Sequence, residues 1–338
     1  MAVVEKQALI LQEVCVLESN FKKFLRRFTP KSQDHLSERI FVAAFGKHPG
    51  WDDHVDDIGL ETDVFVAVKR MLYVQGIGGN VDSGSWDKLT ENQLIGEFKH
   101  VFFWYINGSL VVGRMWSSRD GKGRKSYPFV VCVQCQKLPI KWIFDKVLPR
   151  LESIETTCAA TTSAAEVRMA IQSARQELRL LAQQCETSSS PKVMYPDALA
   201  KLAGHKEMGP NQEGLIRVLY HIDREAGRHL SNNAGSTAMK STSLRVPASM
   251  NTMLENILVW SSFLFTKFGM NTPVLILIPL QNTWMDIIMG EPTELQLYCL
   301  RASLKVIPLT SSIPYNMGSE FIDQAHRLIE AGQTHQSC

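Results

Sequence analysis

The 338 residues are 45% apolar and 21% charged, the balance of a globular chain able to bury a core. The 36 basic residues against 34 acidic ones leave a net charge of +2, which gives no electrostatic ground for nucleic acid as the main partner. Glu5 and Lys6 interrupt the N-terminus where a signal peptide needs an unbroken apolar run, so none is expected. The longest apolar runs, NILVWSSFLF (256–265) and PVLILIPL (273–280), are too short to span a bilayer, and no transmembrane segment is expected. Seven cysteines without paired spacing fit a reducing compartment, and the expected location is cytoplasmic.

In chain order, residues 1–38 carry a helical stripe of Ile10, Val14, Leu17, Phe21, Phe24 and Phe28, ended by Pro30. Lys22, Lys23, Arg26 and Arg27 flank it. Such an amphipathic helix docks on a partner or a membrane, or packs on its own domain as most apolar stripes do. From Arg39 the pattern turns to strands. RIFVAAF (39–45) is a buried-type strand, VFVAVKRMLYV (64–74) a helix, and QGIGGNVDSGS (75–85) a glycine-rich loop. KHVFFWYI (99–106), SLVVGRMW (109–116) and YPFVVCVQC (127–135) are strands, and Asn107-Gly108 joins the first two in a tight hairpin. KWIFDKVLPRLESI and a helix opened by Ser163 with Glu166, a capping box, follow. That order predicts one antiparallel sheet with helices on one side over residues 39–186.

TSSSP (187–191) marks a boundary, and residues 187–338 read as a helical segment followed by a smaller α/β layer. Helices are expected near 196–203 and 212–230, then a polar exposed loop over 231–243. A strand SLRVP, a helix 250–268 closed by Gly269, a strand PVLILIPL, a helix WMDIIMG and a final SLKVIPL alternate through the last third. The fold class is thus α/β in the α+β sense.

The stretch AAFGKHPGWDDHVDD (43–57) gathers His48, His54, Asp52, Asp53, Asp56 and Asp57, a candidate metal or catalytic loop. Its spacing matches no calcium loop, and the chain has no H-x-x-x-H or H-E-x-x-H, so no metal or other cofactor is expected. GIGG lacks the third glycine of a dinucleotide fingerprint. RDGKGRKS (119–126) departs from a phosphate loop at Gly123, although Arg119, Lys122, Arg124 and Lys125 converge there and could meet an anion. Cys132 and Cys135 form a C-x-x-C within a strand, which turns their side chains to opposite faces as a core and a surface thiol. No nucleophile elbow is present, and no catalytic residue is expected.

FGKHPGWDDHV resembles the first signature of the TagF (ImpM) family of type VI secretion-associated proteins, a strand running into Gly-Lys-x-Pro with an aspartate four residues after the proline. Gly46, Lys47, Pro49 and Asp53 match. VVGRMWSSRDGKGRKSYPFVV resembles the second signature through Gly113, Ser118, Asp120, Gly123, Arg124 and Pro128. His54 stands in place of the usual aromatic, Ser117 where proline is common, and one extra residue separates Arg124 from Pro128. The resemblance covers roughly 41–135. It implies a longin/roadblock-like domain and a non-enzymatic, bacterial, cytoplasmic regulator that holds a secretion machine inactive by binding a forkhead-associated scaffold protein. The matched residues are then partner-binding or loop-organising. The alternative is a metal-dependent hydrolase that uses loop 48–57.

Overall fold

A computed structural model describes residues 39–186, 197–232, 241–248 and 250–334. The expected N-terminal helix, the boundary at 187–191 and most of the polar loop after 232 lie outside the described residues. Seven strands, β1 (Ile40–Gly46), β2 (Lys99–Ile106), β3 (Ser109–Ser117), β4 (Pro128–Cys135), β5 (Thr242–Pro247), β6 (Val274–Pro279) and β7 (Trp284–Met289), form one sheet. Their order is β1-β4-β3-β2-β6-β7-β5 and every pairing is antiparallel. Asn107 and Gly108 both adopt positive φ, +47° and +72°, which gives the β2–β3 hairpin a turn whose twist matches its strands.

The C-terminal strands do not make a layer of their own. Residues His100–Tyr105 of β2 pair with Val274–Pro279 of β6, so β5–β7 continue the first sheet. The apolar run WMDIIMG, expected to be a helix, is β7. Its backbone is shared between β5 and β6, and neighbouring strands decide what a short apolar run leaves ambiguous.

Helices cover both faces, correcting the one-sided arrangement. Ile40, Val42 and Ala44 face one core, while Phe41, Ala43 and Phe45 face the other. A helical run α1 spans Asp63–Val68, Lys69–Gly78 and Gly79–Asp82 with a π-helical middle, and it packs on the second core through Phe65, Met71, Leu72 and Ile77. On the first face lie α2 (the run Ile140–Trp142, Ile143–Val147, Leu148–Ala160) and α3 (Ala164–Gln183), then α4 (Ala198–Ala203), α5 (Glu213–Asn232) and α6 (Met253–Phe268). Helix α7 (Glu294–Leu297) belongs to the second face and α8 (Ser319–Thr334) to the first.

The expected loop 75–85 is helical up to Asp82. Its glycines serve close approach instead of a turn: a Cβ at Gly76 would strike Leu297, and one at Gly79 would strike the Glu294 side chain. Ser163 caps α3 by accepting from the Glu166 amide, but the Glu166 carboxylate bonds the Thr161 hydroxyl, so only half of the expected box forms. Cys132 and Cys135 face opposite cores and both are buried, so neither is a surface thiol. Among the described residues no helix is long and apolar enough to cross a membrane.

One buried ion pair holds the C-terminal segment to the sheet. Arg245 on β5 makes a two-pronged contact to Asp286 on β7, Nε to Oδ1 at 2.7 Å and Nη2 to Oδ2 at 2.9 Å. The same guanidinium donates to the carbonyls of Ala302, Ile307 and Cys299. Arg245→Met strands a buried carboxylate and three carbonyls, and urea unfolding will show a loss of roughly 3–5 kcal/mol. Adding Asp286→Leu to that variant recovers much of the loss, because it removes the unpaired charge.

Candidate functional site

Strands β1 and β3 end, and β4 begins, at the same end of the sheet. The register sets Gly46 opposite Phe129 and Ser117 opposite Pro128, so the loops after Gly46 and after Ser117 emerge side by side. Pro128, which lacks an N–H, opens β4 and its carbonyl accepts from the Lys47 amide at 3.2 Å. Gly46 has φ +118°, and a Cβ there would collide with that same Pro128 carbonyl. The first loop then folds back on itself, with the Val55 amide bonded to the Gly46 carbonyl at 2.7 Å and Ile58 bridged to Ala44.

The two loops close on a ring of four charges. Lys47 Nζ lies 2.5 Å from Asp120 Oδ2 and 3.3 Å from Asp53 Oδ1. Arg124 completes the circuit, with Nε 2.7 Å from Asp120 Oδ2 and Nη2 3.0 Å from Asp53 Oδ1. Asp120 Oδ1 accepts from the amides of Lys122 and Arg124, each at 3.0 Å, so four donors serve this one carboxylate. Backbone contacts reinforce the ring: the Gly121 amide donates to the Trp51 carbonyl at 2.7 Å, and Arg124 Nη2 to the Asp52 carbonyl at 3.0 Å. Gly123 takes φ +84° to let Asp120 and Arg124 close their turn.

Depth divides this ring. The side chains of Asp120 and Lys47 are 0% and 5% exposed, whereas those of Arg124 and Asp53 are 50% and 64% exposed. Burial alone would raise the Asp120 carboxyl, but Lys47, the Arg124 amide and the Arg124 guanidinium outweigh it and hold the group well below the usual aspartate range. Asp53 is lowered in the same sense, burial again opposed by Lys47, Arg124 and His54.

The remaining residues of the acidic loop diverge. His48 is fixed in one neutral form: the Gly50 amide can only donate to its Nδ1, at 3.0 Å, and the Cys158 carbonyl can only accept from Nε2, at 2.8 Å. Desolvation lowers its pKa against the pull of that carbonyl. Neither ring nitrogen keeps a lone pair for a metal or a proton transfer. Asp56 accepts from Trp51 Nε1 and pairs with Arg168, and Asp57 pairs with Lys69. Among the described residues no group of three or more His, Cys, Asp or Glu side chains converges as a metal set.

Pro49 and Ser118 stand outside the ring, at the rim of a cleft beside it, and the Ser118 hydroxyl has no hydrogen-bond partner among the described residues. Two partners escaped the sequence reading: Tyr73 on α1 and Tyr127 pack on His54 with centroids 5.8 and 5.1 Å away. Nothing in the local sequence ties residue 73 to loop 48–57, because the contact depends on how α1 crosses the sheet. No family model matches the chain, and no curated protein matches it.

The difference in depth sets the order of two variants. Lys47→Met leaves the buried Asp120 without its inner cation, and the melting midpoint falls by roughly 5 °C or more. Arg124→Ala opens the exposed side of the ring and lowers the midpoint by less than about 2 °C, a contrast that a thermal melt of the two variants measures directly.

The depressed Asp120 carboxyl also fixes an acid limb. Between its folded value and the ordinary 3.8, the unfolded chain binds a proton that the folded chain does not. Its contribution is therefore complete above that ordinary value and is lost as pH falls toward the folded one. Denaturant titrations between about pH 4 and pH 2 will show a shallower loss for Asp120→Asn than for the parent protein.

Proposed function

We propose that this chain is a non-enzymatic regulatory adaptor that recognises a protein partner through the rim formed by the two clasped loops. One observation carries the reading: the buried Lys47–Asp120 pair holds the loops rigid, while Arg124 and Asp53 present opposite charges on the outside. A preorganised rim of this kind gives specificity and register to an encounter with another protein. Of the matched positions, Gly46, Lys47, Pro49, Asp53, Ser118, Asp120, Gly123, Arg124 and Pro128 fall on these loops or at the strand ends that carry them, and Gly113 lies within β3. That placement supports the resemblance to TagF-type repressors. We therefore extend the proposal to a cytoplasmic bacterial regulator of a type VI secretion machine whose partner is a forkhead-associated scaffold protein.

The hydrolase alternative draws less support. His48 has both nitrogens committed, and the carboxylates of Asp53, Asp56 and Asp57 point to separate cations. A metal-assisted hydrolase needs such groups to converge on one ion with an open position.

The test is calorimetric titration of the full chain with the purified scaffold protein from the same genome. Asp53→Ala and Arg124→Ala are expected to weaken binding by about tenfold or more, chiefly through faster dissociation, with little change in melting. No binding by the parent protein, or undiminished binding by both variants, would falsify the reading.

A further inference from the structure

Behind the clasp lies a cleft of about 570 Å³, a size typical of small-molecule sites. Its walls come from the end of β3, the turn before β4, the junction of α2 with α3, and the segment around Gly96 and Arg301. Three cations, Arg119, Lys125 and Arg301, line it against one carboxylate, Glu97. His48 also lines it but is neutral and fully committed, so it does not change that balance.

These cations differ from the others near the clasp. Lys47, Arg124, Arg168 and Arg114 each have a carboxylate partner. Among the described residues neither Arg119 nor Lys125 has an ion pair or a side-chain hydrogen bond. Arg301 is held in place from behind: Nε donates to the Ile95 carbonyl at 2.8 Å, Nη2 to the Gly96 carbonyl at 3.1 Å, and the guanidinium sits 4.9 Å over the Phe98 ring. Its Nη1 has no hydrogen-bond partner among the described residues, which leaves one edge of a positioned guanidinium unspent. The Ser118 and Thr162 hydroxyls, also in the lining, are equally unspent.

We propose that this cleft binds a small phosphorylated molecule, with the phosphate held by Arg119, Lys125 and Arg301 and its organic part lying toward Trp116. Three cations from two segments, the β3–β4 loop and the stretch at Arg301, with the Ser118 and Thr162 hydroxyls in the same lining, suit a tetrahedral oxyanion that accepts from many directions. A carboxylate needs only one guanidinium fork. The volume exceeds what a lone phosphate fills, which calls for an organic portion, and Trp116 with the Ala159–Ala160 turn supplies an apolar wall for it. The inference does not rest on the adaptor reading, because none of its three cations belongs to the charged ring.

The test is calorimetry and thermal melting of the full chain with sodium pyrophosphate and with AMP, at ionic strength matched by sodium chloride, and citrate as a carboxylate control. We expect saturable binding of pyrophosphate or AMP that raises the melting midpoint. Affinity should fall at least about tenfold in the Arg119→Gln/Lys125→Gln variant, whose ligand-free melting stays the same because both side chains are exposed. The idea is overturned by the absence of saturable binding of both probes, by equal binding in the double variant, or by binding of citrate alone.

Discussion

The contact between Lys47 and Asp120 is the constraint on which the proposed surface depends. It joins a residue one step past β1 to one three steps past β3, and β4 lies between those strands in the sheet. The two loops brace each other. Gly46 in the first and Gly123 in the second take positive φ where the backbone turns, while a Cβ at Gly50 would strike the Ala164 amide and one at Gly121 would crowd Asp52. A buried charge without a partner is costly, so each loop makes the other's ion tolerable. The hydrogen bonds to Asp120 from the amides of its own loop add a second lock, because they form only when residues 120–124 turn back on themselves.

The sheet gives that lock a firm base. β4 and β3 are interior strands buried on both faces, and the loops inherit their position from strand ends that cannot slip. A one-residue shift would move Phe129 or Val131 from one core to the other side. The same rule explains why the C-terminal third cannot be a separate layer. With β6 paired to β2, the sheet has a continuous apolar plane, and Arg245 with Asp286 anchors the last irregular segment to it through buried hydrogen bonds.

How much of this was legible varies with the range of the interaction responsible. The hairpin at Asn107-Gly108, the strands flanking it, the start of α3 at Ser163 and the end of α6 at Gly269 are written in local turn and cap chemistry, and they were readable from residues alone. So was the meeting of the two loops, since Gly46, Lys47, Asp120 and Arg124 sit at strand ends with charges of opposite sign. The nature of β7 was not readable: Trp284–Met289 is apolar throughout, and only its pairing with β5 and β6 chooses strand over helix. The strands had carried a hint of two-sided cover, because VFFWYI and PFVVCV are apolar at successive positions. The glycines at 76 and 79 misled for a physical reason. Glycine marks a turn when its φ is positive and a close contact when it is helical, and the sequence does not distinguish them. Arg245 gave no local signal at all, since its partner lies forty-one residues further along the chain.

Depth in the charged ring then reconciles two readings that looked like rivals in the sequence. A pair that only pins loops should be buried and saturated, and Asp120 with its four donors is that pair. A pair that meets a partner should be exposed and incompletely satisfied, which describes Asp53 and Arg124. Because both pairs share Lys47 and Arg124 as bridges, the outer charges are held in position by the inner ones. A partner that contacts Arg124 therefore finds a guanidinium already oriented by Asp120 and by the Asp52 carbonyl, and binding does not have to order it. The arrangement makes the structural role of the inner pair the condition for the recognition role proposed for the outer one, so the same residues can serve both without conflict.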